Sequence, residues 1–358
     1  MRNDIAIVIP AFEPDDRLVS YVKELNICGF TNIIVVDDGS GKVYDDIFNR
    51  LEHQAKCEVL HHSQNSGKGA ALKTGYRYIL EYMSEVVIGI ITADSDGQHT
   101  VGDCINIADV LKSKKSGHVL LLGSRDFSSK NAQIPAKSRF GNKCTSIIFK
   151  MMYGIYLPDT QTGLRGFLVE DIEKMCNIDG ERYEYEMRVL IEWAREKNII
   201  EIIPIETIYE NNNEGTHFHP IRDSYKIYKV IFETFFKYTG ISILCFLIDN
   251  IFFNIFHYFV LPAFKISSIA KIDWISGCGA RIISGVSNYL LNKKFVFKAK
   301  KKGNAWRYFL LCVGIICVSN FAVTGFEMIG LPGWLMKPVC DILLYFVSFK
   351  INDRWVFE

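Results

Sequence analysis

The chain has 358 residues, of which 49% are hydrophobic, 13% aromatic and 23% charged, with a formal net charge of +1. This composition excludes a disordered, collagenous or coiled-coil protein, and the near-zero charge argues against a nucleic-acid-binding protein. The charge is unevenly divided, because residues 1–238 carry 28 basic and 34 acidic side chains, whereas residues 239–358 carry 13 and 6. The sequence therefore predicts an acidic globular half joined to a basic, very apolar half.

Short apolar runs alternate with helical patterns through the first half. We predict strands at 5–9, 33–36, 57–61, 86–92, 119–122 and 200–204, and helices at 15–28, 43–54, 68–83, 101–111, 142–153 and 186–197. Apolar strands separated by helices are typical of an α/β sheet whose ligands bind at the carboxyl ends of the strands. The first strand follows residues 1–4 directly, with no signal peptide, so we expect this half in the cytosol. The ten scattered cysteines are predicted to be reduced.

The second half has the pattern of a membrane domain. Residues 223–238 (DSYKIYKVIFETFFKY) predict an amphipathic helix at the membrane interface, and apolar stretches near 239–261, 272–292, 307–329 and 334–351 predict four spans. Segments 237–262 and 307–332 match at an offset of 70, and 292–297 and 352–357 at an offset of 60. This repeat predicts two similar helical hairpins. Basic residues crowd 293–307, which predicts that the hairpin connection, the globular half and the C-terminus are cytoplasmic.

Polar residues inside the predicted spans are costly in lipid and therefore informative. Asn250 and Asn320 occupy equivalent positions of the repeat, as do Arg281 and Asp341, and Asp249 is placed to pair with Arg281. Two interpretations stay open. These residues either hold the helices together or form a polar path for a phosphate or sugar head group.

Three segments of the globular half carry chemistry. An apolar strand ends in V-V-D-D-G-S at 35–40, where Asp37 can accept hydrogen bonds from a nucleobase or ribose. A second apolar strand delivers D-S-D-G-Q-H at 94–99, and the oxygens of Asp94, Asp96 and Gln98 suit Mg²⁺ or Mn²⁺ bound to a nucleotide diphosphate. The glycine-rich segment 65–76 is neither a P-loop nor a dinucleotide fingerprint, and its Lys68 is either a phosphate ligand or a solvated lysine.

Together with P-A-F-E-P at 10–14, G-S-R at 123–125, R-F-G-N at 139–142 and D-T-Q-T-G-L-R at 159–165, these segments resemble family 2 glycosyltransferases of the dolichol-phosphate mannosyltransferase and polyprenyl-phosphate glycosyltransferase kind. The resemblance covers residues 5 to about 209. The second half resembles the GtrA-like membrane family through N-Y-L-L-N-K-K-F-V-F at 288–297 and its repeat. The implied architecture is a Rossmann-like GT-A domain at 1–222, an interfacial helix at 223–238 and a four-helix transmembrane domain at 239–358.

The resemblance also implies roles for individual residues. It places the nucleotide-sugar against Pro10, Phe12, Val35, Asp37, Ala93 and Asp94, and the metal at Asp94, Asp96 and Gln98. Arg125 and Arg139 fall at the phosphates of the donor or the lipid acceptor, and we add Arg222 as a candidate ligand of the lipid phosphate. Phe12 stands where the family commonly has tyrosine, and the basic R-x-x-G-x-S-K segment before the membrane is absent. His217, His219 and Arg222 are candidates to replace its cations, and Glu184 and Glu186 are either acidic groups of the site or helix caps.

The implied reaction is transfer of a hexose from a nucleotide-sugar to polyprenyl (undecaprenyl) phosphate at a cell membrane, with inversion and with Mg²⁺ or Mn²⁺ as cofactor. Loss of the basic segment favours a UDP-hexose, and GDP-mannose stays open. Two alternatives remain: the membrane half flips the lipid-linked sugar, or the enzyme extends a lipid-linked glycan. The expected partners are the nucleotide-sugar donor, polyprenyl phosphate and the lipid bilayer, with no nucleic acid. A homo-oligomer is left open.

Overall fold

The computed structural model describes residues 2–114, 116–126, 136–206, 220–261, 269–297 and 304–357. The chain divides into two compact units, Met1–Ile231 and Phe232–Glu358. The sequence-based boundaries at 222 and 238 bracket this division. His217, His219 and the lysines at 298 and 300–302 lie outside the described residues.

The first unit is built on a seven-stranded sheet. Its strands are β1 (Ile5–Ala11), β2 (Asn32–Asp37), β3 (Glu58–His61), β4 (Gly89–Thr92), β5 (Val119–Arg125), β6 (Arg165–Leu168) and β7 (Ile199–Ile205), in the order β3-β2-β1-β4-β6-β5-β7. Strands β1 and β4 are buried along their whole length, as expected for strands covered on both faces. All six predicted strands are present.

Strand β6 was missed by the sequence analysis. It runs antiparallel to both β4 and β5 in the middle of the sheet. Its four residues, R-G-F-L, begin with a charged residue and a glycine, so no apolar run marks them. The strand is defined by pairing on both edges, which is tertiary information that no local pattern carries.

Among its described residues, the first unit has eight α-helices in addition to the sheet. They are α1 (Asp16–Ile27), α2 (Asp45–Gln54), α3 (Lys68–Tyr82), α4 (Val101–Ser113), α5 (Ala136–Tyr153), α6 (Ile172–Asn177), α7 (Glu184–Arg195) and α8 (Pro220–Ile231). Helix α4 begins with a reciprocal capping box between Thr100 and Asp103. Helix α5 begins six residues before its predicted start, α7 begins two before, and α6 was not predicted.

The second unit contains helices α9 (Glu233–Ile255), α10 (Ile269–Leu291), α11 (Ala305–Met328) and α12 (Gly333–Ile351). Single turns of π-helix follow at Phe256–Val260, Asn292–Val296 and Asn352–Val356. By length and composition, Glu233–Val260 and Ala305–Met328 are apolar enough to cross a membrane. The predicted interfacial helix is interrupted, because α8 ends at Ile231 and α9 begins at Glu233.

The two hairpins of the second unit carry polar contacts at equivalent positions of the repeat. In the α9–α10 hairpin, Arg281 Nε lies 3.8 Å from Asp249 Oδ2, which confirms the predicted pair. In the α11–α12 hairpin, Ser319 donates a hydrogen bond of 2.6 Å to Asp341. Asp249 and Ser319 are related by the offset of 70, and Arg281 and Asp341 by the offset of 60. The repeat seen in the sequence is therefore also a repeat of polar contacts.

Candidate active site

The site is organised by the carboxyl ends of β1, β2 and β4, which are parallel neighbours. The register pairs Ala11 with Asp37 and Val8 with Thr92, so the segments after β2 and β4 emerge on either side of β1. Pro10, Val35 and Ala93 are buried in these strand ends, and Phe12 is half-buried. The sheet thus brings the predicted nucleotide-binding positions to one edge, as expected for a parallel α/β arrangement.

The two carboxylates of the D-D-G-S turn have different partners. Asp37 accepts a hydrogen bond from the Ser40 amide at 2.8 Å and lies 2.9 Å from Nδ1 of His61, which is half exposed. Its register partner on β3 is the same histidine. Asp37 therefore lies at the carboxyl end of β2, beside the partly exposed imidazole of His61.

Asp38 is turned toward the start of α3. It accepts backbone hydrogen bonds from Ser66 at 2.9 Å and Gly67 at 2.7 Å, and it lies 2.8 Å from Nδ1 of His62. Free amides at a helix N-terminus need acceptors, and an anionic acceptor is favoured there by the helix dipole. Asp38 thus fixes the glycine-rich segment and the helix that begins with Lys68.

Lys68 is held inside the site and is not a solvated lysine. Its ammonium lies 2.7 Å from Asp94 Oδ1 and 3.0 Å from Glu186 Oε1. Burial alone would lower the pKa of Lys68, but the two carboxylates outweigh this effect and raise that pKa above its usual value. The lysine is therefore a fixed positive charge that joins the segment after β4 to the first turn of α7.

Asp94 and Asp96 differ in their electrostatics. Burial opposes ionisation of Asp94, but Lys68 and His99, whose Nε2 lies 3.2 Å from Oδ2, outweigh it and hold its pKa well below the usual range. Burial, and then the negative charge of Asp94, raise the pKa of Asp96. Asp96 accepts a hydrogen bond of 3.0 Å from the Gln98 amide. It is the carboxylate that gains most from an added cation.

The residues present fit a divalent cation bound mainly through Asp96. Hard oxygen donors are what Mg²⁺ and Mn²⁺ prefer, and a cation that keeps water and phosphate ligands needs few protein ligands. Among the described residues, no group of three or more histidine, cysteine, aspartate or glutamate side chains is arranged to hold a metal. Both oxygens of Asp94 already have partners, so a cation that reaches Asp94 would lie close to the Lys68 ammonium or the His99 ring.

Gly163 makes the close approach to Asp94 feasible. A Cβ atom at this position would lie 2.3 and 2.4 Å from the two carboxylate oxygens of Asp94. The backbone of this loop is anchored, because Thr92 donates a 2.7 Å hydrogen bond to the Gly163 carbonyl. Sequence reasoning did not single out Gly163, although it lies inside the D-T-Q-T-G-L-R motif.

The predicted phosphate-binding arginines have different surroundings. Arg125 makes a bidentate ion pair with the buried Asp159, with Nε and one terminal nitrogen at 2.7 and 3.1 Å from the carboxylate oxygens. Arg139 and Arg222 have exposed side chains on α5 and α8. Asn142, from the same motif as Arg139, contacts the 158–160 loop through the Pro158 carbonyl and the Thr160 amide. A shared loop thus connects both motifs.

The acidic pair at the start of α7 is divided between two roles. Glu184 accepts long hydrogen bonds of 3.4 and 3.3 Å from the amides of Glu181 and Arg182, in the turn before α7. The N-cap residue of α7, Tyr183, makes no side-chain capping hydrogen bond. Glu186 is buried and contacts Lys68. Its carbonyl accepts a 2.7 Å hydrogen bond from Arg165, another buried cation that the sequence analysis gave no role.

Comparison with known proteins identifies the family of each half of the chain. Residues 6–176 match the model of glycosyl transferase family 2, and residues 237–357 match that of the GtrA/DPMS transmembrane domain. An uncharacterized protein of Methanocaldococcus jannaschii is 30% identical over 240 residues, which are 66% of this chain and 94% of that protein. The UDP-N-acetylglucosamine–dolichyl-phosphate N-acetylglucosaminyltransferase of Methanococcus voltae is 29% identical over 220 residues, 57% of this chain and 86% of the relative.

Among solved structures, glucosyl-3-phosphoglycerate synthase from Mycobacterium tuberculosis, in complex with Mn²⁺, UDP and phosphoglyceric acid, superposes with a TM-score of 0.48 at 12% identity. The superposition covers 64% of this chain and 78% of the synthase chain. The chain belongs to family 2 of the glycosyltransferases, with an α/β domain followed by a GtrA/DPMS transmembrane domain. It is a glycosyltransferase, in a group whose named relatives act on prenyl phosphates. The GtrA/DPMS match and the two long apolar helices indicate a membrane protein.

Proposed function

We propose that this enzyme transfers a hexose from a nucleotide diphosphate sugar, with UDP-hexose favoured over GDP-mannose, to polyprenyl phosphate at the cytoplasmic face of a membrane. The observation that carries the proposal is the pair Asp94 and Asp96 at the end of β4, beside Asp37 at the end of β2. This is a donor site joined in one chain to a GtrA/DPMS membrane domain. The named relative that uses UDP-N-acetylglucosamine and dolichyl phosphate supports the same reaction class.

The acceptor supplies its own nucleophile in this reaction. A phosphate monoester has a second pKa near 6, so it is mostly dianionic at neutral pH and needs no strong general base. The protein has to orient this anion against the anomeric carbon, which is the task of nearby cations. Arg139 and Arg222 are exposed, so both are accessible to a lipid phosphate, whereas Arg125 is committed to Asp159.

The larger electrostatic demand is the charge that develops on the departing nucleotide diphosphate. A divalent cation held by Asp96 and Asp94, with Gln98 beside them, supplies positive charge at that place when bound. Lys68 adds an ammonium group beside Asp94. Asp37 is available to accept a hydrogen bond from the base or ribose. The half-buried Phe12 lies beside the strand ends in which Pro10, Val35 and Ala93 are buried.

The proposal is tested with membranes that contain the protein, undecaprenyl phosphate, Mg²⁺ or Mn²⁺ and a panel of labelled UDP- and GDP-sugars. We expect label from one donor to enter a lipid that mild acid hydrolyses, and we expect a chelator or Asp96→Ala to abolish the transfer. Asp46→Ala, at an exposed position of α2, is the matched control and keeps full activity. Transfer retained by Asp96→Ala contradicts the metal assignment. Transfer only to a lipid-linked glycan contradicts the proposal that polyprenyl phosphate is the acceptor.

A second candidate function, flipping of the lipid-linked product, is favoured by the equivalent polar contacts of the two hairpins. Asp249 with Arg281, and Ser319 with Asp341, place polar side chains at matching positions of the two hairpins. Polar groups in membrane-spanning segments are energetically costly, and they commonly mark the path of a substrate or ion. Substitution of Arg281 and Asp341 should slow flipping in reconstituted vesicles without changing transfer. Unchanged flipping would reduce this domain to an anchor.

A further inference from the structure

Lys68 holds the position of a cation at the predicted metal site. Its ammonium contacts Asp94 Oδ1 at 2.7 Å and Glu186 Oε1 at 3.0 Å, and the three side chains are 16%, 26% and 11% exposed. The residues come from the start of α3, the segment after β4 and the first turn of α7. A charge held between two mostly buried carboxylates is strongly localised, because attraction between charges is strongest where water is excluded.

Each carboxylate oxygen of Asp94 has a partner in this arrangement. Its Oδ2 lies 3.2 Å from Nε2 of His99, whose side chain is only 5% exposed. Each oxygen keeps a second lone pair, but a divalent cation bound there would lie next to the Lys68 ammonium or the His99 ring. Binding at Asp94 is therefore opposed unless one of these partners moves away. The His99 ring is buried, whereas Lys68 has a flexible four-carbon chain and a second carboxylate, Glu186, on which its charge can remain. Lys68 is the partner that moves at lower cost.

We propose that Lys68 competes with the divalent cation for Asp94, and that this competition makes cation binding depend on the nucleotide. Without nucleotide, the ammonium occupies Asp94 and leaves Asp96 as the main cation ligand. The diphosphate of the donor adds negative charge that favours a cation at both carboxylates, and Lys68 then retains its contact with Glu186. Lys68 acts on the cation through Asp94, so it is a positioning residue. The inference rests on the proposed cation site at Asp94 and Asp96.

The consequence is a linkage between two ligands. If the nucleotide increases the affinity for the cation, the cation increases the affinity for the nucleotide by the same factor. Couplings of this kind are commonly about 5- to 150-fold. Part of the factor comes from direct contact between cation and diphosphate. The part due to Lys68 is seen in the cation affinity measured without nucleotide.

The test uses the full chain in detergent and follows free Mn²⁺ by electron paramagnetic resonance during a titration, with and without UDP. Lys68→Met should bind Mn²⁺ without nucleotide about tenfold more tightly than the wild type, because the competing charge is gone. Lys68→Arg keeps the charge and should restore the dependence on UDP. The control is Lys73→Met, which removes an equal charge from the same helix, where Lys73 lies over the Tyr185 ring.

Two further results keep the test decisive. Removal of Lys68 leaves the buried Glu186 without its ammonium partner, whereas Asp94 keeps His99. If Lys68→Met fails to fold, the double variant Lys68→Met with Glu186→Gln takes its place, and the summed charge of the pair is then unchanged. This double variant should also bind Mn²⁺ tightly without UDP. Unchanged nucleotide-free affinity in the folded variants refutes the competition alone. Absence of Mn²⁺ binding to the wild type even with UDP refutes the cation site, and with it this inference.

Discussion

Replacement of Gly163 by alanine tests whether the position of the Asp94 carboxylate limits the reaction. The new Cβ would lie 2.3 and 2.4 Å from the two oxygens of Asp94, a contact that real Cβ atoms do not make. The glycine backbone is held by the hydrogen bond from Thr92, and the next residue accepts a 2.9 Å hydrogen bond from the Gly123 amide through its carbonyl. The side chain of Asp94 therefore has to move, by about 1 Å to reach ordinary van der Waals distance.

A displacement of this size at a reacting centre costs roughly 100-fold in rate. Stability should change little, because Gly163 has a backbone conformation that other residues adopt, and loss of glycine freedom in the unfolded chain stabilises by about 0.4–1 kcal/mol. We therefore expect Gly163→Ala to lose about two orders of magnitude in sugar transfer while its melting temperature stays within a few degrees of the wild type.

The assay is label transfer to lipid phosphate, combined with Mn²⁺ titration in the presence of UDP and thermal unfolding in detergent. Gly102→Ala is the control, since its Cβ in α4 would meet Thr100 Oγ1 at an ordinary 3.5 Å. Both transfer and Mn²⁺ affinity should fall in Gly163→Ala and stay unchanged in the control. Full activity in a folded Gly163→Ala enzyme would show that the placement of Asp94 does not matter for transfer.

Three other predictions concern the residues around the site. Asp38→Ala removes three hydrogen bonds to a buried carboxylate and should destabilise the first unit by about 3 kcal/mol, a fall of roughly 6–12 °C in melting temperature; a fall below 2 °C would contradict its role as a cap of α3. Arg125→Lys breaks a bidentate pair with buried Asp159 and should lower the melting temperature by roughly 4–8 °C. A raised KM for the acceptor with an unchanged melting temperature would instead identify Arg125 as a phosphate ligand. Burial raises the pKa of Cys57 to about 12, so at pH 8 only about one thiol in ten thousand is ionised and Cys57 should resist alkylation in the folded protein, as mass spectrometry would show; rapid labelling would refute its burial.

Much of the first unit could be read from the sequence because its strands are continuous apolar runs. Both carboxylates of the D-S-D motif follow a strand that is buried throughout, as the pattern indicated. The antiparallel strand β6 could not be found in this way, since it is held by neighbours on both sides. The contacts of Lys68 were equally hidden, because Asp94 and Glu186 are far from it in the chain and local spacing does not predict long-range ion pairs.

The division of roles within each acidic pair also required the structure. Asp37 and Asp38 are adjacent in sequence, yet one faces the mouth of the sheet and the other binds helix amides. Glu184 and Glu186 differ similarly, because Glu184 binds amides of the preceding turn and Glu186 contacts Lys68. Side chains that are close in sequence within a turn or a first helical turn point in different directions. The partners of each side chain therefore depend on which distant parts of the chain pack on its side.

The internal repeat of the membrane domain explains how its two hairpins are joined. Tyr308 donates a 2.8 Å hydrogen bond to Asn288 of the first hairpin, and the equivalent Tyr238 lies 3.3 Å from Ser348 Oγ of the second. Ser348 stands where the offset of 60 places Asn288, so each hairpin contributes a tyrosine to the other. Such reciprocal contacts are those expected across a two-fold axis. A repeat in sequence alone does not require them, because two hairpins of the same kind can also pack side by side without exchange. The reciprocity therefore argues that the two hairpins form one pseudo-symmetric unit, and Tyr308→Phe should weaken their association more than the equally conservative Tyr258→Phe at an exposed position.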